Sequence, residues 1–147
     1  MFSQKKGFTL VEIMIVVAII ALLAAIAIPN LLRSRLNAAE ANAQATLKTM
    51  STAMESYAAA NEGTYPTGIS QLTSADPAYL NKDYTASTIQ GYDFACSFTD
   101  AEPYSCTATP AGAFSGKGKT YTVTTGGIMT STSPGTTTDT TTDTTSG

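Results

Sequence analysis

Phe8–Ile28 reads FTLVEIMIVVAIIALLAAIAI, a run in which only Thr9 and Glu12 are polar and which Pro29 closes. As a helix rising 1.5 Å per residue it spans roughly 31 Å, close to the ~30 Å hydrocarbon thickness of a bilayer. A helix apolar on every side needs lipid or other protein all around it. The competing reading is a secretory signal, with Lys5 and Lys6 as its charged region and Ala25-Ile26-Ala27 as a small-residue cleavage site. Against that reading, the run exceeds the ~7–15 apolar residues of such signals and it contains an acid.

Beyond Pro29 the helical signal continues and changes character. Leu36, Ala39, Ala43, Leu47, Met50, Met54 and Tyr57 recur at helical spacing, with Arg33, Arg35, Glu40, Gln44, Lys48 and Glu55 between them. This predicts one apolar stripe backed by a wet face, with the helix ending near Asn61-Glu62-Gly63 ahead of Pro66. A coiled coil is the other reading of such a stripe, but its many alanines and the strands downstream favour packing on a sheet. Pro29, lacking a backbone donor and crowding the carbonyl of Ala25, is expected to bend or loosen the helix.

Farther on, Ile69 and Leu72 can anchor one helical turn within a loop punctuated by Pro66, Gly68 and Pro77. The period then becomes two: Tyr92, Phe94, Cys96 and Phe98 alternate with Asp93, Ala95, Ser97 and Thr99, which predicts a half-buried strand. Pairing it with Tyr104–Ala108 sets Cys96 opposite Cys106 and Phe98 opposite Tyr104 on the apolar face. Lys119–Thr125 and Ile128–Thr132 form a second pair joined by Gly126-Gly127, glycines suited to a tight hairpin. The last stretch, SPGTTTDTTTDTTSG (133–147), has no apolar side chain beyond Pro134 and is expected to be disordered. The fold class is therefore α+β, a long amino-terminal helix packed on a small antiparallel sheet head.

Composition narrows the chemistry. Eight basic residues face eleven acidic ones in 147, and there is no His and no Trp. Removing Lys5 and Lys6 leaves six basic residues, so no basic stripe offers itself to nucleic acid. Without His, the commonest general base and zinc ligand is missing, and two cysteines alone make a structural zinc site improbable. No Gly-rich phosphate loop or supported acid pair marks a single-pass membrane enzyme, so neither an enzyme nor a cofactor or metal is expected.

Lys5-Lys6-Gly7-Phe8-Thr9-Leu10-Val11-Glu12, leading into the apolar helix, resembles the amino-terminal motif of the type IV pilin and type II secretion pseudopilin superfamily. The likeness is close over about the first 30 residues and extends beyond them only in layout. It implies a leader (1–7) recognised through Lys5 and Lys6 and cut between Gly7 and Phe8 by a membrane prepilin peptidase, which then methylates the Phe8 amine. It also implies a span and filament-core half (8–29) in which Glu12 and Pro29 serve assembly, a head (30–132), and the Thr-rich tail (133–147). Partners would be further copies in a helical filament and an inner-membrane assembly platform. Charge counting leaves topology undecided, because Arg33 and Arg35 flank the span as closely as Lys5 and Lys6. The resemblance places the head outside the cytoplasm, on a pilus or a periplasmic pseudopilus.

The physics of the residues agrees with these roles. Glu12 sits roughly 6 Å inside Phe8, where a carboxylate in an apolar span is expensive, though less so near the bilayer edge than at its centre. It either snorkels toward water or, as the resemblance implies, pairs in a filament core with the Phe8 amine of a neighbouring subunit. Two charges at ~4 Å attract by about 4 kcal/mol at an effective dielectric of ~20. Helix length argues separately for polymerisation: Phe8 to Glu62 would span roughly 80 Å, against a head of about 25–30 Å. Ala18, Ala21, Ala24 and Ala25 offer small surfaces for close helix approach. Cys96 and Cys106 face each other in the hairpin and would form a disulfide in an oxidising compartment, a buried free pair being the alternative. A calcium site is weakly supported, since only Asp100 and Glu102 stand in the hairpin turn. The cysteine pair and the Thr-rich tail favour a pilin over the alternative, a type II secretion pseudopilin.

Overall fold

A computed structural model of the chain describes residues 7–100 and 102–135. The expected leader positions Lys5 and Lys6, and the tail from residue 136 onward, lie outside the described residues. The chain divides into two compact units, Met1–Asn37 and Ala38–Gly147.

Helix α1 covers Leu10–Ala60 and includes Pro29 without interruption. The expected loosening at Pro29 does not break the helix, because the ring holds φ near the helical value and only one hydrogen bond is forfeited. Within the first unit the apolar side chains from Phe8 to Leu32 stand exposed, and this part of α1 is long and apolar enough to cross a membrane.

Burial begins in the second unit. Ala39, Ala43, Leu47, Met50 and Met54 are all buried, and Ala53 and Ala58 widen their stripe. The helix stops as its sequence predicts: Glu62 and Gly63 take positive φ, and the Gly63 N–H donates to the Ala58 carbonyl at 2.8 Å. Glycine suits that left-handed position because it has no Cβ to clash. Helix α2 (Ile69–Thr73) buries both Ile69 and Leu72.

Four strands form one antiparallel sheet in sequence order: β1 (Tyr92–Ser97), β2 (Ser105–Pro110), β3 (Thr120–Thr124) and β4 (Ile128–Thr132). Alternation sends Tyr92, Phe94, Cys106, Ala108, Tyr121 and Val123 into the core against α1, where Tyr104, just before β2, joins them. Thr107, Thr122 and Thr130 fall in one row across the opposite face. β-branched residues fit that half-exposed pleat. Each fully buried large side chain contributes about 1.5–3 kcal/mol, so the α1–sheet layer is the main source of stability in this unit. At Gly91, just before β1, an added Cβ would collide with the Phe114 ring, so only glycine permits that approach.

Two expectations shift in detail. The β1–β2 ladder ends at Ser97 and Ser105, leaving Phe98 and Tyr104 beyond it. The β3–β4 connection is a three-residue 3-10 turn, Thr125–Gly127, with Gly126 at φ 80°. Thr125 is drawn out of strand β3 because its hydroxyl pairs with the Tyr104 backbone.

Candidate functional site

The residues expected to carry processing and assembly occupy the start of the first unit. Gly7 has open space around it, and Phe8 is 79% exposed. Thr9 caps α1: its hydroxyl accepts the Glu12 N–H at 3.3 Å and its carbonyl accepts the Ile13 N–H at 3.4 Å. That cap places Glu12 in the first helical turn, where a carboxylate is favoured by the helix dipole. Gly7 and Phe8 therefore stand just ahead of α1 and Glu12 in its first turn, while Pro29 stands roughly 26 Å farther along the helix than Glu12. The chain has no charged residue between Glu12 and Arg33, so Glu12 is isolated in an apolar surface.

Cys96 and Cys106 belong to the second unit and are directly opposed in the β1–β2 register. Their sulfurs form a disulfide, with Cys106 fully buried and Cys96 half-buried.

Two carboxylates on α1 have a role that helical periodicity does not reveal. Glu40 and Glu55 fall outside the apolar stripe and read as members of the wet face, but both reach the sheet side of the head. Glu55 accepts the Tyr65 hydroxyl at 2.7 Å, the Tyr104 hydroxyl at 2.8 Å and the Gly126 N–H at 2.8 Å. Ser51, also on α1, shares the Tyr104 hydroxyl at 2.8 Å. Glu40 accepts the Lys119 N–H at 3.1 Å and the Tyr121 hydroxyl at 3.2 Å. Burial pushes the Glu55 carboxyl up, but the bonds from Tyr65, Tyr104 and Gly126 outweigh it and hold the group below the usual carboxylate range. Burial also raises the Tyr104 phenol to about 12, with Glu55 beside it acting in the same direction. Only the spacing of tyrosines and glycines in the strand half could have hinted at these acceptors.

A groove of about 620 Å³ runs between α1 and the β3–β4 hairpin, lined among others by Lys48, Glu55, Val123 and Met129. Its carboxylate, Glu55, is already committed to three donors. Among the described residues no cluster of three His, Cys, Asp or Glu could hold a metal ion.

A long amino-terminal apolar helix together with a four-stranded antiparallel sheet is a pilin-like α+β architecture. Residues 2–28 match the family model described as the prokaryotic N-terminal methylation motif. The chain is similar to the type IV major pilin protein PilA of Myxococcus xanthus, 48% identical over 54 residues that cover 37% of this chain and 24% of that protein. It is 66% identical over 32 residues to the type IV wide pilus major component PilA4 of Thermus thermophilus, covering 22% of this chain and 24% of the relative. With the type II secretion system core protein G of Escherichia coli it shares 35% identity over 76 residues, 50% of this chain and 52% of that protein. The chain thus spans about a quarter of the two pilus proteins and about half of the secretion protein. No solved structure matches it.

Proposed function

We infer that this protein is a structural subunit, not an enzyme, of a type IV pilus-like filament. Its leader is cut between Gly7 and Phe8 by a prepilin peptidase, which methylates the new amine. The subunit waits in the inner membrane with its head outside the cytoplasm, and an assembly platform passes it into a polymer of further copies. One observation carries this reading: an exposed apolar helix begins directly after an open Gly7-Phe8 junction, with a lone carboxylate in its first turn. Similarity to proteins named as pilus components supports it.

Such a surface is stable only in lipid or among similar helices. In the filament, Glu12 of one copy takes the Phe8 amine of its neighbour as counter-charge, which offsets desolvation and selects one axial stagger. The uncut leader would move that amine away from Glu12 and bring Lys5 and Lys6 into the bundle. The test is Glu12→Gln, which keeps size and hydrogen-bonding capacity. Cleavage and membrane insertion should persist while filament yield falls sharply at equal levels of processed subunit. Normal filaments would remove the charge pair from the mechanism and leave Glu12 as a snorkelling residue.

The second reading is a type II secretion pseudopilin, favoured by a match to core protein G that takes in 76 residues, 50% of this chain. The disulfide and Thr-rich tail weigh toward the pilus. A retraction ATPase and secretin encoded beside the gene would indicate pili.

A further inference from the structure

We propose that the outer face of the sheet docks on the same face of a second copy, and that this contact joins neighbouring filaments side by side. The inference rests on the reading above, in which many heads are displayed together. The alternation that sends Tyr121 and Val123 toward α1 sends Thr120, Thr122 and Thr124 the other way. Antiparallel register then aligns Thr107, Thr122 and Thr130 in one row and sets Thr120 beside Thr132 in the next. In a third row Ser105 and Ile128 flank Thr124.

Three properties suit this face to its own copy. The first is charge. Acidic side chains outnumber basic ones over residues 38–135, so two heads repel on average. Strands β2, β3 and β4 carry no charged side chain, and a face that meets itself across a two-fold axis must not oppose like charges. The second is the state of the hydroxyls. Thr107 and Thr122 share a bond at 3.3 Å, and Thr130 donates to the Thr122 carbonyl at 3.5 Å. Groups already paired within the face lose little on leaving water, and β-branched side chains have little rotamer freedom to forfeit. The third is Ile128, at the rim of the face and 63% exposed. Among the described residues of the second unit it is the one large apolar side chain left exposed, and a second copy would cover it. Two such sheets, twisted with the same hand, can stack with strands about 30° apart.

Area decides what kind of contact results. Three strands about 4.8 Å apart, each of about five residues rising about 3.4 Å, give roughly 240 Å². A stable complex buries about 800 Å² on each partner. Single heads therefore stay apart, whereas arrays of heads hold together, because each contact made raises the effective concentration for the next. Filaments lying alongside each other supply such arrays.

The test places full-length protein in phosphatidylcholine vesicles at physiological ionic strength and reads clustering by light scattering. Flotation reports insertion of the span and filament yield reports polymerisation, so failure of the underlying reading is seen separately. Wild-type vesicles should cluster. Thr122→Lys, at the middle of the face, and Thr130→Lys, at its exposed edge, should each reduce clustering to that of protein-free vesicles, with melting of the head unchanged. Lysine lowers the negative charge of the head, so that loss cannot come from general repulsion. Vesicles carrying Thr122→Lys should cluster again with vesicles carrying Thr122→Glu, and high salt should undo this restored contact. Wild-type vesicles that stay apart would overturn the proposal and leave the face to a different occupant. Lysine variants that cluster like wild type, or mixed vesicles that stay apart, would overturn it as well.

Discussion

Glu55 joins three separate stretches of the head through one carboxylate, taking donors from Tyr65, Tyr104 and Gly126. An anionic acceptor makes each of these bonds stronger than a neutral one would be. Glu55→Gln offers one carbonyl oxygen in place of two carboxylate oxygens and should cost roughly 1–2 kcal/mol. The acid side has a definite sign. Because the folded pKa lies below the ordinary 4.5, the contribution is complete above that value and disappears as pH falls through the lower one. Thermal melts of the full chain in detergent from neutral to acidic pH should therefore show a shallower acid loss in the Gln variant. An equally steep loss would assign the acid limb to other carboxylates. On the alkaline side, Tyr104 favours the fold fully below the ordinary 10.0, and that contribution is lost as pH rises through about 12. Tyrosinate absorbance during alkaline titration should show a late fraction that appears together with unfolding.

At the scale of elements, the β1–β2 hairpin was legible from alternation alone, down to the pairing of Cys96 with Cys106. Its disulfide closes a loop between residues ten apart, which implies stabilisation of roughly 2–3 kcal/mol in the chain-entropy model. Thiol labelling of unfolded, non-reduced protein should find almost no free cysteine, and reduction should lower the melting temperature. The apolar stripe of α1 was legible too, because 3.6-residue spacing governs which side chains can share one face. Leu47→Ala, at a fully buried position of that stripe, should cost about 2–5 kcal/mol through lost burial and the cavity left behind. The extra residue in the β3–β4 turn was not legible. It depends on Thr125 finding the Tyr104 backbone 21 positions away, which no local pattern records.

For the whole molecule, mass spectrometry of mature protein should give a chain beginning at methylated Phe8. A start at Ile28 would return the amino-terminal segment to a secretory signal. A chain ending at Thr132 should assemble and melt like the full one, because SPGTTTDTTTDTTSG carries no apolar side chain to bury beyond Pro134. A large loss on truncation would give that segment a packing role.

The sequence by itself determined the apolar span with its single acid, the stripe of α1 and the alternating strands. Each is written in spacing or composition within one contiguous stretch, where helix and strand periodicity and the cost of exposing apolar surface act directly. Tertiary structure alone decided what Glu40 and Glu55 do. Both read as solvated helix positions until the sheet brings Lys119, Tyr121, Tyr104 and Gly126 to them from 49 to 81 residues away. A carboxylate's role depends on which donors surround it, and that neighbourhood exists only once distant segments have packed together.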